Sequence, residues 1–127
     1  MSLCIVAGGK TVVLAVSAFT LSWTHSVERT QWREDWRVMP AGLELVEARV
    51  KGSGAGMEPP DGAVLADGWW VYRPGLPPQR RVVLAASGAT GGGWRLCAAG
   101  DCREIGAVEG ETAELLACAV GHEGLPE

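Results

Sequence analysis

Apolar and polar residues alternate by twos along most of this chain, in short runs broken every few residues by glycine or proline. In a strand successive side chains point to opposite faces, so such alternation marks strands with one face in a core. The pattern predicts strands over 3–7, 11–16, 19–26, 31–38, 43–50, 63–65, 69–73, 81–86, 93–97, 102–106 and 112–119. Only 112–119 leaves a helix open, because its glutamates and leucines can be read at either period. Turn residues separate the runs: Gly8-Gly9-Lys10, Met39-Pro40-Ala41-Gly42, the glycine-rich 51–62 and 87–93, and the proline-rich 74–79, which cannot be an interior strand. Eighteen glycines and seven prolines in 127 residues suit that many turns. The expectation is an all-β fold, a small antiparallel β-sandwich or barrel of about eight to eleven short strands. One domain over 1–120 would hold it, with a frayed tail at 121–127.

The segment Phe19 to Val38 carries the chemistry. Read by twos, Phe19, Leu21, Trp23, His25 and Val27 share one face of the first strand, and Trp32, Glu34, Trp36 and Val38 share one face of the next. His25 and Glu34 therefore point where the tryptophans point. An unpaired buried charge costs roughly several kcal/mol or shifts its pKa, so both residues need a reason to be there. Three readings stay open. The first is a buried hydrogen-bonded pair that fixes strand register, completed by Glu28 or a backbone group. The second is a pocket floor in which imidazole and carboxylate receive a ligand's polar group between the walls of Trp23, Trp32 and Trp36. The third is an acid–base pair in a small enzyme.

Other motifs narrow the field. Ser26 follows His25, but neighbours in a strand face opposite sides, and no Gly-x-Ser-x-Gly elbow is present, so a serine hydrolase is disfavoured. The loop Gly52-Ser53-Gly54-Ala55-Gly56-Met57 lacks the Lys-Ser/Thr ending of a phosphate loop and runs into Glu58-Pro59-Pro60. Its exposed amides suit a carboxylate or carbonyl instead. Trp69-Trp70-Val71-Tyr72 puts aromatics on both faces of a strand; the face with Trp70 and Tyr72 reads as an exposed patch, unless 74–79 covers it.

A net charge of −4, with no basic cluster beyond Arg80-Arg81, argues against nucleic acid as a partner. Two histidines, one of them His122 in the tail, and no Asp-x-Asp loop give no sign of a metal, and no cofactor motif is present. Cys97 and Cys102 flank Ala-Ala-Gly-Asp, a candidate four-residue hairpin loop whose mouth they can bridge; Cys4 and Cys118 would then be the second pair. Two bridges would mean an oxidising compartment, and the alternative is four reduced cysteines. Thr11 to Trp23 is too short for a transmembrane helix and has the length of an export-signal core, with Ala15-Val16-Ser17-Ala18 as a cleavage stretch. Its valines favour the competing hairpin of 3–7 with 11–16.

Four segments together, THSVE at 24–28, REDWRV at 33–38, LVEARVKGSGAGMEPP at 45–60 and DGWWVYRP at 67–74, resemble the bacterial family called domain of unknown function 1850. The resemblance runs over roughly residues 3 to 106; Met57-Glu58-Pro59 departs from versions with proline directly after the apolar residue. It implies context more than chemistry. Members tend to be encoded beside TAXI-type TRAP transporters, so it implies an accessory protein of the periplasm or cell envelope. Its partner would be the transporter's membrane subunit, its solute-binding protein, or a small carboxylate-type solute. The motif match carries over His25, Ser26, Glu34, Gly54 and Gly56 as the site, with no assigned reaction. Alternation and the neighbouring loop add Glu28, Trp36 and Met57.

Overall fold

The computed structural model describes residues 1–25, 30–51, 62–85, 93–105 and 112–119, the side chains at 25, 30 and 85 excepted. Its elements are all strands: β1 (Ser2–Ala7), β2 (Lys10–Leu14), β3 (Ala18–His25), β4 (Thr30–Met39), β5 (Gly42–Lys51), β6 (Val64–Ala66), β7 (Trp69–Tyr72), β8 (Val82–Ala85), β9 (Trp94–Ala98), β10 (Asp101–Ile105) and β11 (Thr112–Cys118). They form two antiparallel sheets, one of four strands in the order β2-β1-β11-β8 and one of seven in the order β10-β9-β3-β4-β5-β7-β6. Leu3, Ile5 and Leu115 of the small sheet and Leu21, Leu43 and Leu96 of the large one belong to one core cluster, each at most 5% exposed. Among the described residues no helix is long and apolar enough to cross a membrane.

Residues 112–118 are strand. β11 lies between β1 and β8, so both its edges supply ladder hydrogen bonds that a helix would keep to itself. Ala113 and Leu115 are buried while Thr112 is exposed, the alternation a half-buried strand requires. The N-terminal apolar run is the hairpin β1–β2, turning at Gly8 and Gly9, both with positive φ.

Two features of the large sheet shape its inner face. In β5 the inward positions change phase, from Leu43 and Leu45 to Ala48 and Val50. The register explains it: Asp35 pairs with Glu47, but Trp36 pairs with Leu45, leaving Val46 as the extra residue of a β-bulge. Without the bulge, Leu43 and Leu45 would face solvent. The second feature is the strap from β7 to β8, residues 73–81. Its prolines cannot donate to a ladder, and Gln79 makes the attachment: Leu43 N–H donates to Gln79 O at 2.8 Å and Gln79 N–H to Leu43 O at 2.7 Å. Gly42 permits this approach, since a Cβ there would stand 2.5 Å from Gln79 O at a φ of +137°.

Both cysteine pairs are disulfides. Cys4–Cys118 joins β1 to β11 with Cα atoms 6.0 Å apart, and Cys97–Cys102 joins directly opposed residues of β9 and β10 at 4.0 Å. The turn inside the second bridge is shorter than its spacing suggested. Ala98 already pairs with Asp101, so only Ala99 and Gly100 turn, at φ values of 52° and 87°. Two central residues with positive φ match the twist of the flanking strands.

Candidate functional site

Residues opposed across a ladder share a face, so the register draws the inner surface of the large sheet in rows. One row runs Leu96, Leu21, Glu34, Ala48, Tyr72. The row on one side holds Phe19 opposite Trp36, their rings stacked with centroids 6.1 Å apart. The row on the other side holds Trp23 opposite Trp32, stacked at 6.0 Å. Glu34 thus sits between two aromatic pairs, on the face that carries the core.

Its one side-chain partner among the described residues is neutral. Trp36 Nε1 donates to Glu34 Oε1 at 3.0 Å, the two residues sharing a face because they are two apart in a strand. No described cationic side chain lies within 4.0 Å of the carboxyl. Burial raises the Glu34 pKa above its ordinary 4.5, and the indole hydrogen bond offsets this only in part. Tyr72 feels the same setting: burial first, and the Glu34 charge second, raise its pKa above 10.0. Ala48 stands between them in the row and is 1% exposed, so only a methyl group intervenes.

This carboxyl opens onto a cleft of about 420 Å³ between the sheets. Leu21, Trp23, Trp36, Leu45, Leu84 and Trp94 supply apolar walls, and the strap closes one side with Leu76, Gln79 and Arg81. Arg81 is mostly in solvent and pairs with Glu114 at 3.6 Å. The arrangement suits a ligand that is largely apolar and has one group able to accept from, or donate to, a carboxyl that holds its proton readily.

The predicted site residues fare differently. Glu34 and Trp36 are brought together in the cleft. His25 stands opposite Thr30, with the Trp23–Trp32 row between it and Glu34. Four residues of strand separate its backbone from Leu21, the residue opposite Glu34, a distance of roughly 13 Å. The register therefore does not set His25 and Glu34 side by side; the indole of Trp36 takes the place expected for the imidazole. The side chain of His25, and Ser26, Glu28, Gly54, Gly56 and Met57 altogether, lie outside the described residues. Trp70 and Tyr72 are half-buried in the rows of Val50 and Ala48, on the inner face, and do not form the exposed patch. The aromatic on the outer face is Trp69, with Lys51 Nζ 5.0 Å from its ring centroid. Leu45 lines the cleft and Tyr72 stands beyond Ala48 in the Glu34 row, and neither was predicted; the phase change in β5 was the available signal for Leu45.

A family model described as "Domain of unknown function (DUF1850)" matches residues 19–105, and the chain belongs to that family. The matched stretch holds nearly all of the seven-stranded sheet, β8 and the whole cleft, and leaves out β1, β2 and β11. No curated protein and no solved structure matches the chain.

Proposed function

We propose that this protein is a binding protein of the bacterial cell envelope, accessory to a TAXI-type TRAP transporter, and that the cleft at Glu34 receives its small carboxylate-type solute. One observation carries the binding role: a carboxyl held in an apolar cleft with an indole for a partner. Building that arrangement costs stability, because burial disfavours the charged form and no described cationic side chain lies within 4.0 Å to compensate it. A protonated Glu34 can donate to a ligand oxygen, while Arg81 at the mouth attracts an anionic end. The two disulfides favour an oxidising compartment, as the cell envelope outside the cytoplasm provides. The transporter connection rests on the family resemblance alone. An acid–base enzyme has less support, since the register keeps the backbones of His25 and Glu34 two rows apart.

The test is an affinity pull-down of the tagged protein from membranes of its own host, with cross-linking and mass spectrometry, beside the variant Glu34→Gln. Capture of a TRAP membrane subunit or solute-binding protein, cross-linked near residues 25–36 or 51–58, is the expected outcome. Capture of neither removes the transporter role. Unchanged partner affinity and transport in a well-folded Glu34→Gln variant would refute the cleft as the site.

A further inference from the structure

The opposite face of the same sheet carries a second concavity, of about 640 Å³, built from different chemistry. Its floor is β3, whose outward residues Thr20, Ser22 and Thr24 are short and hydroxylated. Its sides are the flanking strands. Ser22 lies opposite Arg95 of β9 and opposite Arg33 of β4, so two exposed guanidinium side chains straddle one serine, with backbones roughly 10 Å apart across two strand spacings. Gln31, opposite Thr24, adds an amide. Trp69, on this outer face, contributes an indole ring to the lining.

The neighbouring region of the outer face is different. There Asp35, Glu47 and Arg49 satisfy one another, and Arg37 pairs with Glu44. Among the described residues lining the groove, two arginines stand against one carboxylate, Glu104, which lies opposite Arg95 yet is not within 4.0 Å of it. A small-residue floor between long cationic walls is a trough, and its positive balance is local in a chain whose net charge is −4.

We infer that this groove binds a short acidic oligosaccharide. Hydroxyl and amide side chains match sugar hydroxyls, the indole of Trp69 matches the apolar face of a sugar ring, and guanidinium groups match carboxylates in a planar fork. The volume accommodates about two or three rings in an open, surface-lying pose, within the usual range for ligand sites. An acidic peptide fits less well. Extended peptides gain most from free strand edges, whereas β3 is paired with β4 along its whole length and with β9 over Thr20–Ser22, so the groove floor offers mainly side chains. The site is separate from the Glu34 cleft and does not depend on what that cleft binds.

The experiment is an amide-resolved NMR titration of the intact protein with trigalacturonate, a neutral trisaccharide and triglutamate. Trigalacturonate is expected to shift amides of residues 20–24 and 93–97, with the neutral sugar binding at least about tenfold more weakly, the worth of one charged hydrogen bond. Arg33→Ala and Arg95→Ala, both at exposed positions and checked for native folding, are each expected to weaken binding about tenfold, and Glu34→Gln to leave it unchanged. Absence of shifts at millimolar trigalacturonate, affinity unchanged in both arginine variants, or triglutamate binding as well as the sugar acid would each overturn the inference.

Discussion

Glu34 and Asp35 are consecutive carboxylic acids on one strand, and one step along the backbone puts them in opposite surroundings. Asp35 faces outward, where it accepts from Thr20 Oγ1 at 3.1 Å and pairs with Arg49 at 2.6 Å; Arg49 also reaches Glu47 at 3.0 Å, and Arg73 approaches Glu47 at 3.7 Å. Glu34 faces inward, where an indole is its partner and the walls are hydrocarbon. The outer acid is compensated on every side and does structural work of modest size. Among the described residues the inner acid has no cationic partner within 4.0 Å, so the same sheet keeps a mutually neutralising network on one face and a carboxyl with only an indole partner on the other.

Leu21→Ala gives the strongest separation of the two faces. Leu21 is 1% exposed and directly opposite Glu34, so its truncation is expected to cost about 2–5 kcal/mol, against about 0.5 or less for Ser22→Ala, one residue away on the outer face. Urea denaturation of both variants reads the difference, and similar midpoints would mean the faces are wrongly assigned.

Trp36→Phe keeps most of the ring and deletes the donor. Loss of a buried hydrogen-bond partner is expected to cost about 1–3 kcal/mol. The matching change outside, Thr20→Val, leaves Asp35 its arginine and is expected to cost less. Combining Trp36→Phe with Glu34→Gln in a double-mutant cycle separates the lost hydrogen bond from repacking. Zero coupling would show that the indole does nothing for the carboxyl.

The pH dependence differs in sign from that of an ordinary paired carboxylate. Because the folded Glu34 pKa is raised above the unfolded 4.5, the folded state holds this proton more tightly. Its contribution to stability is fully present below 4.5 and declines as pH rises through the folded pKa. Glu34→Gln is expected to flatten that decline and to leave the protein more stable than the native chain at neutral pH. Thermal unfolding between pH 4 and 8 measures it, and a Gln variant less stable at neutral pH would place Glu34 among structural acids. The smallest effect belongs to Asp35→Asn, expected at about 0–1 kcal/mol and shrinking with added salt.

Much of this was legible in the residues. The eleven predicted strands correspond to the eleven observed, because alternation and the Gly/Pro punctuation both come from backbone geometry that each segment carries itself. The inward aim of Glu34 and Trp36 followed from the same two-residue period. Relations between segments were not legible. Alternation says which residues share a face but not which share a row: it put Trp36 beside Glu34, two residues away on one strand, while only the row shows that the backbones of His25 and Glu34 are apart. Trp70 and Tyr72 were read as a surface patch because only the pairing of β7 with β5 shows that their face continues that of Ala48 and Val50. The hairpin loop at Ala98–Asp101 was legible, but at a length of four residues, because alanine rarely adopts a positive φ and Ala99 gives no sign of a two-residue turn.

The most direct test of the central claim is a carbon-detected NMR titration of the Glu34 side-chain carboxyl, assigned by its loss in Glu34→Gln. The expected result is a midpoint above the ordinary glutamate value, rising further in Trp36→Phe. A midpoint at or below the ordinary value would mean that the carboxyl is solvated or paired with a cation, and the cleft would then have no uncompensated group with which to receive a ligand.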